Sequence, residues 1–176
     1  MCFRNFLGKV SVIIMKIKVD AELAYLAGLW KTRRSEKGLG ICGGSEILEI
    51  FIKLVLSKQM TTPEKILSEQ DCVFFHHTAY KNFLEKFGAD ALETLTKRNE
   101  KAAAYLAGMF DGCGGVKGNA IFLARASLQD EILLERLGFR TLRRGRVLYI
   151  KPAGFIEFIA SFIKHPKLRE DLKALI

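Results

Sequence analysis

The sequence predicts a mixed α/β (α+β) fold made of two copies of one unit, each ordered helix, strand, helix, hairpin, helix. The main observation is a repeat, since the five residues Ala24–Gly28 recur in identical order as Ala104–Gly108. Agreement continues downstream, where the apolar segment Val73–Phe75 aligns with Leu148–Ile150. A repeat of about 75–80 residues sets the architecture before any local assignment is made.

Local signals place the same elements in both copies. A helix is expected to begin at the capping box of Ser127 and Asp130 and to end before Gly138. Gly145 lies in the following hairpin, where it supplies the positive φ that such turns need. The predicted helices cover 20–32, 46–58 and 79–87 in the first copy and 100–111, 128–137 and 153–163 in the second. The predicted strands cover 38–42, 65–69 and 72–76 in the first copy and 119–126, 139–143 and 147–151 in the second.

The two copies divide the chain into residues 20–98 and 99–176, preceded by an N-terminal extension or strand at 1–19. The polar run 97–101 joins the copies and is too short to make them independent domains. Met15 opens a natural start just before the first helix, so the residues ahead of it are expected to be an over-extended beginning. With 49% hydrophobic residues among 176 positions, the two halves can bury one core.

Small residues lie one turn apart on the first helix of each copy, Ala24 with Gly28 and Ala104 with Gly108. A glycine inside a helix costs about 1 kcal/mol relative to alanine, so its recurrence at the same helical position indicates a purpose. Because these small residues leave room for a neighbouring backbone, we expect the two helices to cross closely through Gly28 and Gly108. The alternative is two ordinary amphipathic helices with incidental glycines.

The segment Leu106–Gly114 (LAGMFDGCG) closely resembles the nine-residue motif of the LAGLIDADG homing endonucleases, and Leu26–Arg34 (LAGLWKTRR) matches its front half. The element order after each motif also fits that family's repeat, so the resemblance covers residues 20–163. It implies the single-chain, two-repeat form, a monomer with an internal pseudo-dimer. The motif helices would pack at a pseudo-twofold axis, and the strands of both halves would form a saddle in the major groove of duplex DNA.

The eighth motif position departs from the family pattern. In the family, the acid at this position of each copy holds the divalent metal that activates water for phosphodiester cleavage. Here the position is Arg33 in the first copy and Cys113 in the second. Arginine cannot ligate a cation, and a neutral thiol is a poor ligand for Mg²⁺. We therefore expect neither a catalytic pair nor a metal or cofactor; magnesium is expected only if the protein cleaves with displaced acids.

The sixth motif position keeps one acid, Asp111, and its counterpart in the first copy is Lys31, which is expected to oppose it. Asp111 either makes a turn hydrogen bond at the end of its helix or contributes to a metal site. Glu36, shortly after the first motif, is a further candidate for a displaced ligand. The cations Lys31, Arg33 and Arg34 make the centre of the saddle basic, which favours a phosphate backbone that passes through without being cut.

Basic residues outnumber acidic ones by 28 to 19, a net charge of +9 that indicates a nucleic-acid partner. In the second copy, residues 112–129 and 136–156 contain no acid, whereas the first-copy hairpin, 63–77, holds three acids and only Lys65. We therefore expect the second copy to supply most of the contacts to the nucleic acid. The alternative is a basic surface whose charges are merely solvated. The predicted nucleic-acid contacts are Lys31, Arg33, Arg34, Lys117, Arg125, Arg140, Arg143, Arg144, Arg146 and Lys151.

Cys2, Cys42, Cys72 and Cys113 show no paired spacing, so the sequence predicts neither a zinc site nor a disulfide framework. Unpaired cysteines fit a reducing interior, and we expect a cytoplasmic protein. The chain has no stretch of 18 apolar residues that would span a bilayer, so no membrane partner is expected.

Three hypotheses for function remain open on these grounds. The first is a duplex-DNA-binding protein that resembles a homing endonuclease but no longer cleaves. The second is an active, site-specific DNA endonuclease that uses displaced acids. The third is an RNA-binding protein that assists intron splicing, since basic saddles of this family also serve RNA.

Overall fold

The computed structural model describes residues 17–175, in which helices alternate with short antiparallel strands. The expected over-extended beginning, and most of the predicted extension or strand at 1–19, therefore lie outside the described residues. The helices are α1 Ala21–Arg33, α2 Ser45–Ser57, α3 Thr78–Ala89, α4 Ala91–Thr94, α5 Glu100–Cys113, α6 Leu128–Arg136, α7 Phe155–Ile159 and α8 Pro166–Lys173, with 3-10 turns at Pro63–Lys65 and Ala160–Phe162. The strands are β1 Leu39–Cys42, β2 Leu67–Glu69, β3 Cys72–Phe75, β4 Gly114–Lys117, β5 Ala120–Leu123, β6 Thr141–Arg144 and β7 Val147–Ile150. The expected mixed fold class is confirmed.

Side-chain caps fix where the central helices begin. The Asp20 carboxylate accepts a hydrogen bond from the Leu23 amide at 2.9 Å, and the Asn99 side chain caps α5 in the same way. The capping box at the start of α6 is present as predicted, with Ser127 and Asp130 bonding each other's backbone amides. Gly145 turns the β6–β7 hairpin at a φ of +60°. Local chemistry along the sequence therefore sets these boundaries.

The strands form two antiparallel sheets, in the orders β1-β3-β2 and β4-β5-β7-β6. Each sheet buries one side against the helices, most clearly in the alternating burial of β5 and β7; we call this side the inner face and the opposite side the outer face. The inner face of the first sheet carries Leu39, Ile41, Val73 and Phe75, and that of the second carries Ile121, Leu123, Leu148 and Ile150. Because side chains alternate across a strand, the residues between them point outward.

Three elements go beyond the sequence prediction. Strand β4 contains Gly114 and Gly115, which are poor strand formers, yet it pairs with β5 directly after α5 ends. Helices α4 and α8 are short, and α8 buries only Leu172. The predicted helix at 153–163 is instead α7 followed by a 3-10 turn, and it starts after Gly154 in a left-handed conformation.

Helices α1 and α5 pack with their backbones in contact at the two glycines. A Cβ atom built on Gly28 would lie 2.0 Å from the Tyr105 carbonyl oxygen, and one on Gly108 would lie 2.0 Å from the Tyr25 carbonyl oxygen. Ala24 and its neighbours on both helices are fully buried. The predicted close crossing is confirmed, because no residue with a Cβ fits at either glycine without moving a helix.

One cysteine prediction is wrong. Cys42 and Cys72 form a disulfide, with their Cα atoms 4.0 Å apart. The two residues are 30 positions apart in sequence but lie directly opposite each other in the β1–β3 register. Pairing of strands, which cysteine spacing does not encode, brings them together. Cys113 is a free, buried thiol. Across residues 17–175 no helix has the length and apolar character that crossing a membrane requires.

We predict that Gly108→Ala lowers the free energy of unfolding by about 1–3 kcal/mol, since the added methyl group must push α1 and α5 apart. Gly88→Ala is the matched control, because it also lies in a helix and an added Cβ would meet only the Lys31 side chain, at 4.0 Å. The control should raise stability by up to about 1 kcal/mol through helix propensity. Urea unfolding measures both; a Gly108→Ala protein as stable as its parent would contradict the close packing of the two helices.

Candidate nucleic-acid interface

The two residues at the eighth motif position lie at the joined C-terminal ends of α1 and α5. Arg33 crosses to the other helix, where its Nε donates a hydrogen bond to the Gly112 carbonyl oxygen. Cys113 follows Gly112 and is 7% exposed. Burial raises the pKa of the Cys113 thiol, so the sulfur is neutral at ordinary pH. A guanidinium and a neutral thiol thus stand together at this place.

Lys31 and Asp111 do not oppose each other, contrary to the sequence expectation. The Lys31 ammonium lies 2.6 Å from the carboxylate of Asp130 at the start of α6. Asp130 is 1% exposed and also forms the capping box with Ser127. Lys31 therefore forms an ion pair with a buried acid that the sequence had indicated only as a capping residue.

Asp111 is held by hydrogen bonds inside the protein. One carboxylate oxygen accepts from the Tyr25 hydroxyl at 2.6 Å and from the backbone amides of Lys164 and His165 at 2.7 and 3.1 Å. Burial raises the pKa of Asp111, and these hydrogen bonds oppose that shift. Of the two interpretations, the hydrogen-bonding one fits, with donors from the segment leading into α8 rather than from the helix's own turn.

A cleft of about 630 Å³ opens beside the C-terminal end of α1. We call it the central cleft; its lining residues are Lys31, Thr32, Arg33, Arg34, Cys42, Gly43, Gly44, Asp71 and Arg125. Four of these are cations and only Asp71 is an acid. Arg34 and Arg125 are exposed, and Arg125 donates to the Thr32 carbonyl oxygen at 3.5 Å. The cleft is suited to an anion such as a phosphate group.

The described part of the chain, residues 17–175, contains no group of three or more His, Cys, Asp or Glu side chains placed to hold a metal ion. Glu36, the candidate displaced ligand, lines a separate hollow with Trp30 and Lys81. Asp71, one of the three acids of the first-copy hairpin, is the acid that lines the central cleft.

Most of the predicted second-copy cations lie exposed on or beside the outer face of the second sheet. Arg140, Arg144 and Lys151 alternate with inner-face residues along β6 and β7, and Lys117 ends β4. Arg144 also lies over the ring of Tyr149, 5.9 Å from its centre. Arg146 is exposed in the turn beside Gly145. These side chains form a basic rim on one side of the molecule.

Arg143 does not belong to this rim. Its guanidinium lies 2.5 Å from the Glu131 carboxylate and donates to the carbonyl oxygens of Ala126 and Ser127 at 3.0 and 2.9 Å. It therefore points to the inner face and holds the start of α6. Strict alternation along β6 was the signal that could have separated Arg143 from Arg144.

The first sheet offers much less positive charge. Glu69 on β2 pairs with Lys37, and Asp71 follows in the hairpin. Lys65 is exposed ahead of β2. The uneven charge expected from the sequence therefore corresponds to two unlike surfaces, a basic second sheet and a nearly neutral first one.

Comparison with known proteins identifies the fold. No protein-family model matches the chain, and no curated protein matches it. Among solved structures, I-DmoI in complex with DNA and Ca superposes with a TM-score of 0.59 at 16% identity, covering 88% of this chain and 97% of that one. Mesophilic variants of the homing endonuclease I-DmoI give a TM-score of 0.56 at 16% identity, covering 81% and 96%.

I-DmoI in complex with DNA and Mn gives a TM-score of 0.50 at 20% identity, covering 82% of this chain and 97% of that chain. Identities this low show the fold alone. The LAGLIDADG-type architecture expected from the motif resemblance is confirmed at that level: the chain has the fold of the homing endonuclease I-DmoI.

Proposed function

We propose that this protein binds duplex DNA without cleaving it, along the surface that runs from the central cleft to the outer face of the second sheet. The observation that carries the proposal is the concentration of exposed cations at these two places, with Arg34 and Arg125 in the cleft and Arg140, Arg144 and Lys151 on or beside the sheet. Structures of I-DmoI, which has this fold, are complexes with DNA.

Phosphate neutralisation supplies the affinity. Each lysine or arginine that contacts a phosphate releases counterions from the duplex, so binding weakens steeply as salt rises. The net charge of +9 adds long-range attraction to the polyanion. The protein acts as a monomer in which the halves 20–98 and 99–176 contact neighbouring parts of the site, with the second half contributing more.

A divalent metal does not fit the residues at the cleft. I-DmoI was solved with Ca or Mn, but here the motif acids are replaced by Arg33 and Cys113. Like charges about 4 Å apart repel by about 4 kcal/mol at an intermediate dielectric, so Arg33 disfavours a cation. Asp111 is engaged by Tyr25 and two backbone amides. Asp71 alone is one carboxylate, which supports the non-cleaving hypothesis over an endonuclease with displaced acids.

The remaining hypothesis, RNA binding in intron splicing, uses the same basic surface. Competition between duplex DNA and a structured intron RNA separates the two.

The proposed location of the protein is the cytoplasm. Disulfides are rare in the reducing cytosol of most cells, so alkylation of Cys42 and Cys72 in freshly lysed cells tests it.

We predict that replacing Arg140, Arg144 and Lys151 together with Ala weakens duplex binding and flattens the slope of log affinity against log salt by about 0.9 for each phosphate that the variant no longer neutralises. Lys53, Lys86 and Lys101, exposed on α2, α3 and α5, form a control triple with the same charge change. Fluorescence anisotropy with a labelled duplex measures the slopes. Equal slopes for the two triple variants would contradict the proposed surface, and Lys65→Ala should have little effect.

We predict that the parent protein binds Mg²⁺ or Mn²⁺ too weakly for calorimetric detection, and that Arg33→Asp combined with Cys113→Asp creates a binding site. The two carboxylates would stand at the joined ends of α1 and α5 and supply the oxygen ligands that these ions prefer. Arg33→Asn with Cys113→Asn is the control of matched size. Tight metal binding by the parent would support the endonuclease hypothesis instead.

Asp111 gives a pH test of its buried role. Because the pKa of Asp111 in the folded protein is raised above the ordinary value of 3.8, the folded state binds a proton more tightly than the unfolded state. Folding is therefore favoured on the acidic side of the raised pKa and loses that contribution as the pH rises through it. The uncharged Asp111→Asn variant lacks this dependence.

We predict that the free energy of unfolding of the parent falls relative to that of Asp111→Asn as the pH rises from 3.8 through the raised pKa of Asp111. Urea unfolding across the pH range, with and without Mg²⁺, measures the difference. A pH-independent difference, or a parent that Mg²⁺ stabilises, would argue against a carboxylate held only by internal hydrogen bonds.

A further inference from the structure

Large apolar side chains are exposed at four places in the described part of the chain: Leu67 at 45%, Leu128 at 66%, Ile132 at 39% and Leu142 at 54%. Leu128 and Ile132 lie on α6, in the helical layer. The other two lie on the outer faces of the sheets, Leu67 on β2 and Leu142 on β6. Each sheet thus presents one exposed leucine on its outer face, and Leu142 lies within the proposed DNA-binding surface.

Each of the two leucines lies opposite an aromatic residue of the neighbouring strand. Leu142 is opposite Tyr149, which is opposite Phe122 on the next strand. Leu67 is opposite Phe74. Residues directly opposite in antiparallel strands share a face, so each leucine extends a row of aromatic side chains. We call these the apolar rows.

Each apolar row ends on a glycine, Gly115 beyond Phe122 and Gly40 beyond Phe74. A Cβ built on Gly115 would lie 2.6 Å from the Phe122 ring, and one on Gly40 would lie 2.4 Å from Cβ of Phe74. The ring of Phe122 therefore covers Gly115, whereas Gly40 lies against Cα and Cβ of Phe74. Phe74 is only 6% exposed, and Phe122 and Tyr149 are half-buried, so the leucine is the most exposed side chain of each row.

The basic rim determines what comes to lie against the apolar row of Leu142. Arg140 and Arg144 flank Leu142 two residues away on the same face of β6, and Lys151 is beside Arg140. These cations would hold the phosphates on either side of a groove, with Leu142 between them facing the base edges. Charge complementarity thus commits the partner of this face to a nucleic acid.

The exposed leucine has a matching group on only one base. In the major groove, base edges present hydrogen-bond donors and acceptors except for the 5-methyl group of thymine. A leucine side chain gains nothing from a donor or acceptor but removes apolar surface from water against a methyl group. Resting on the proposed duplex-DNA binding, we infer that Leu142 selects an A·T pair at one position of the site by packing against a thymine methyl group.

The test exploits uracil, which pairs as thymine does but lacks the methyl group. A random duplex library is selected on the full-length protein. The bound pool is then amplified in two reactions, one with thymidine triphosphate and one with deoxyuridine triphosphate. Removing one buried methyl group corresponds to about a fourfold change in affinity. The uracil pool should therefore bind about fourfold more weakly.

Variants assign the effect to the row of Leu142. Leu142→Ser should bring the thymine-to-uracil binding ratio to one while salt-dependent binding persists. Leu128→Ser, which changes an equally exposed leucine on α6, is the matched control and should leave the ratio unchanged. Thermal melting confirms that these surface variants are folded.

The outcomes separate this inference from the proposal beneath it. Equal binding of the two pools, with a steep salt dependence, would overturn thymine selection and leave duplex binding intact. A preference for single-stranded over duplex nucleic acid would overturn it as well. Salt-independent or undetectable binding of both pools would remove the proposed function and this inference together.

Discussion

The packing of the α1 backbone directly on the α5 backbone is the constraint on which the rest of the structure depends. The carbonyl oxygens of Tyr25 and Tyr105 occupy the space that side chains at Gly108 and Gly28 would need, so neither helix can rotate or slide without a clash. That packing fixes the distance between the helix ends, which is why Arg33 reaches Gly112 across the pair. It also sets the spacing between the two sheets, since each sheet packs on helices around this pair.

Burial decides what the polar groups around the pair can do. One carboxylate oxygen of Asp111 accepts a hydrogen bond from Tyr25 inside the protein, whereas Lys31, at the matching motif position, pairs with the buried Asp130. Among residues 17–175, the hydroxyl of the buried Tyr105 consequently has no hydrogen-bond partner. Such a group costs about 1–3 kcal/mol. Four cations and one acid line the central cleft, a balance that favours holding a phosphate over binding a metal.

Sequence reasoning predicted the parts of the structure that depend on local chemistry or on the two motifs. The capping box at Ser127, the turn at Gly145 and the glycine packing between the motif helices all follow from single residues whose conformational or steric demands are strong. Contacts between paired strands could not be predicted from the sequence. The disulfide of Cys42 and Cys72 depends on the β1–β3 register, and β4 forms in a glycine-rich segment because β5 is beside it. The inward direction of Arg143 and the ion pair of Lys31 likewise depend on where α6 packs.

The central claim is that exposed cations hold duplex DNA on this surface without a bound divalent metal ion. Its most direct test is the affinity for a labelled DNA duplex, measured across a salt series in a chelator and again with Mg²⁺ at matched ionic strength. We expect binding in the chelator with a steep negative dependence on salt, no gain in affinity at matched ionic strength when Mg²⁺ is present, and intact DNA at the end. Binding that requires the divalent ion, or strand breaks that appear only when it is present, would contradict the account.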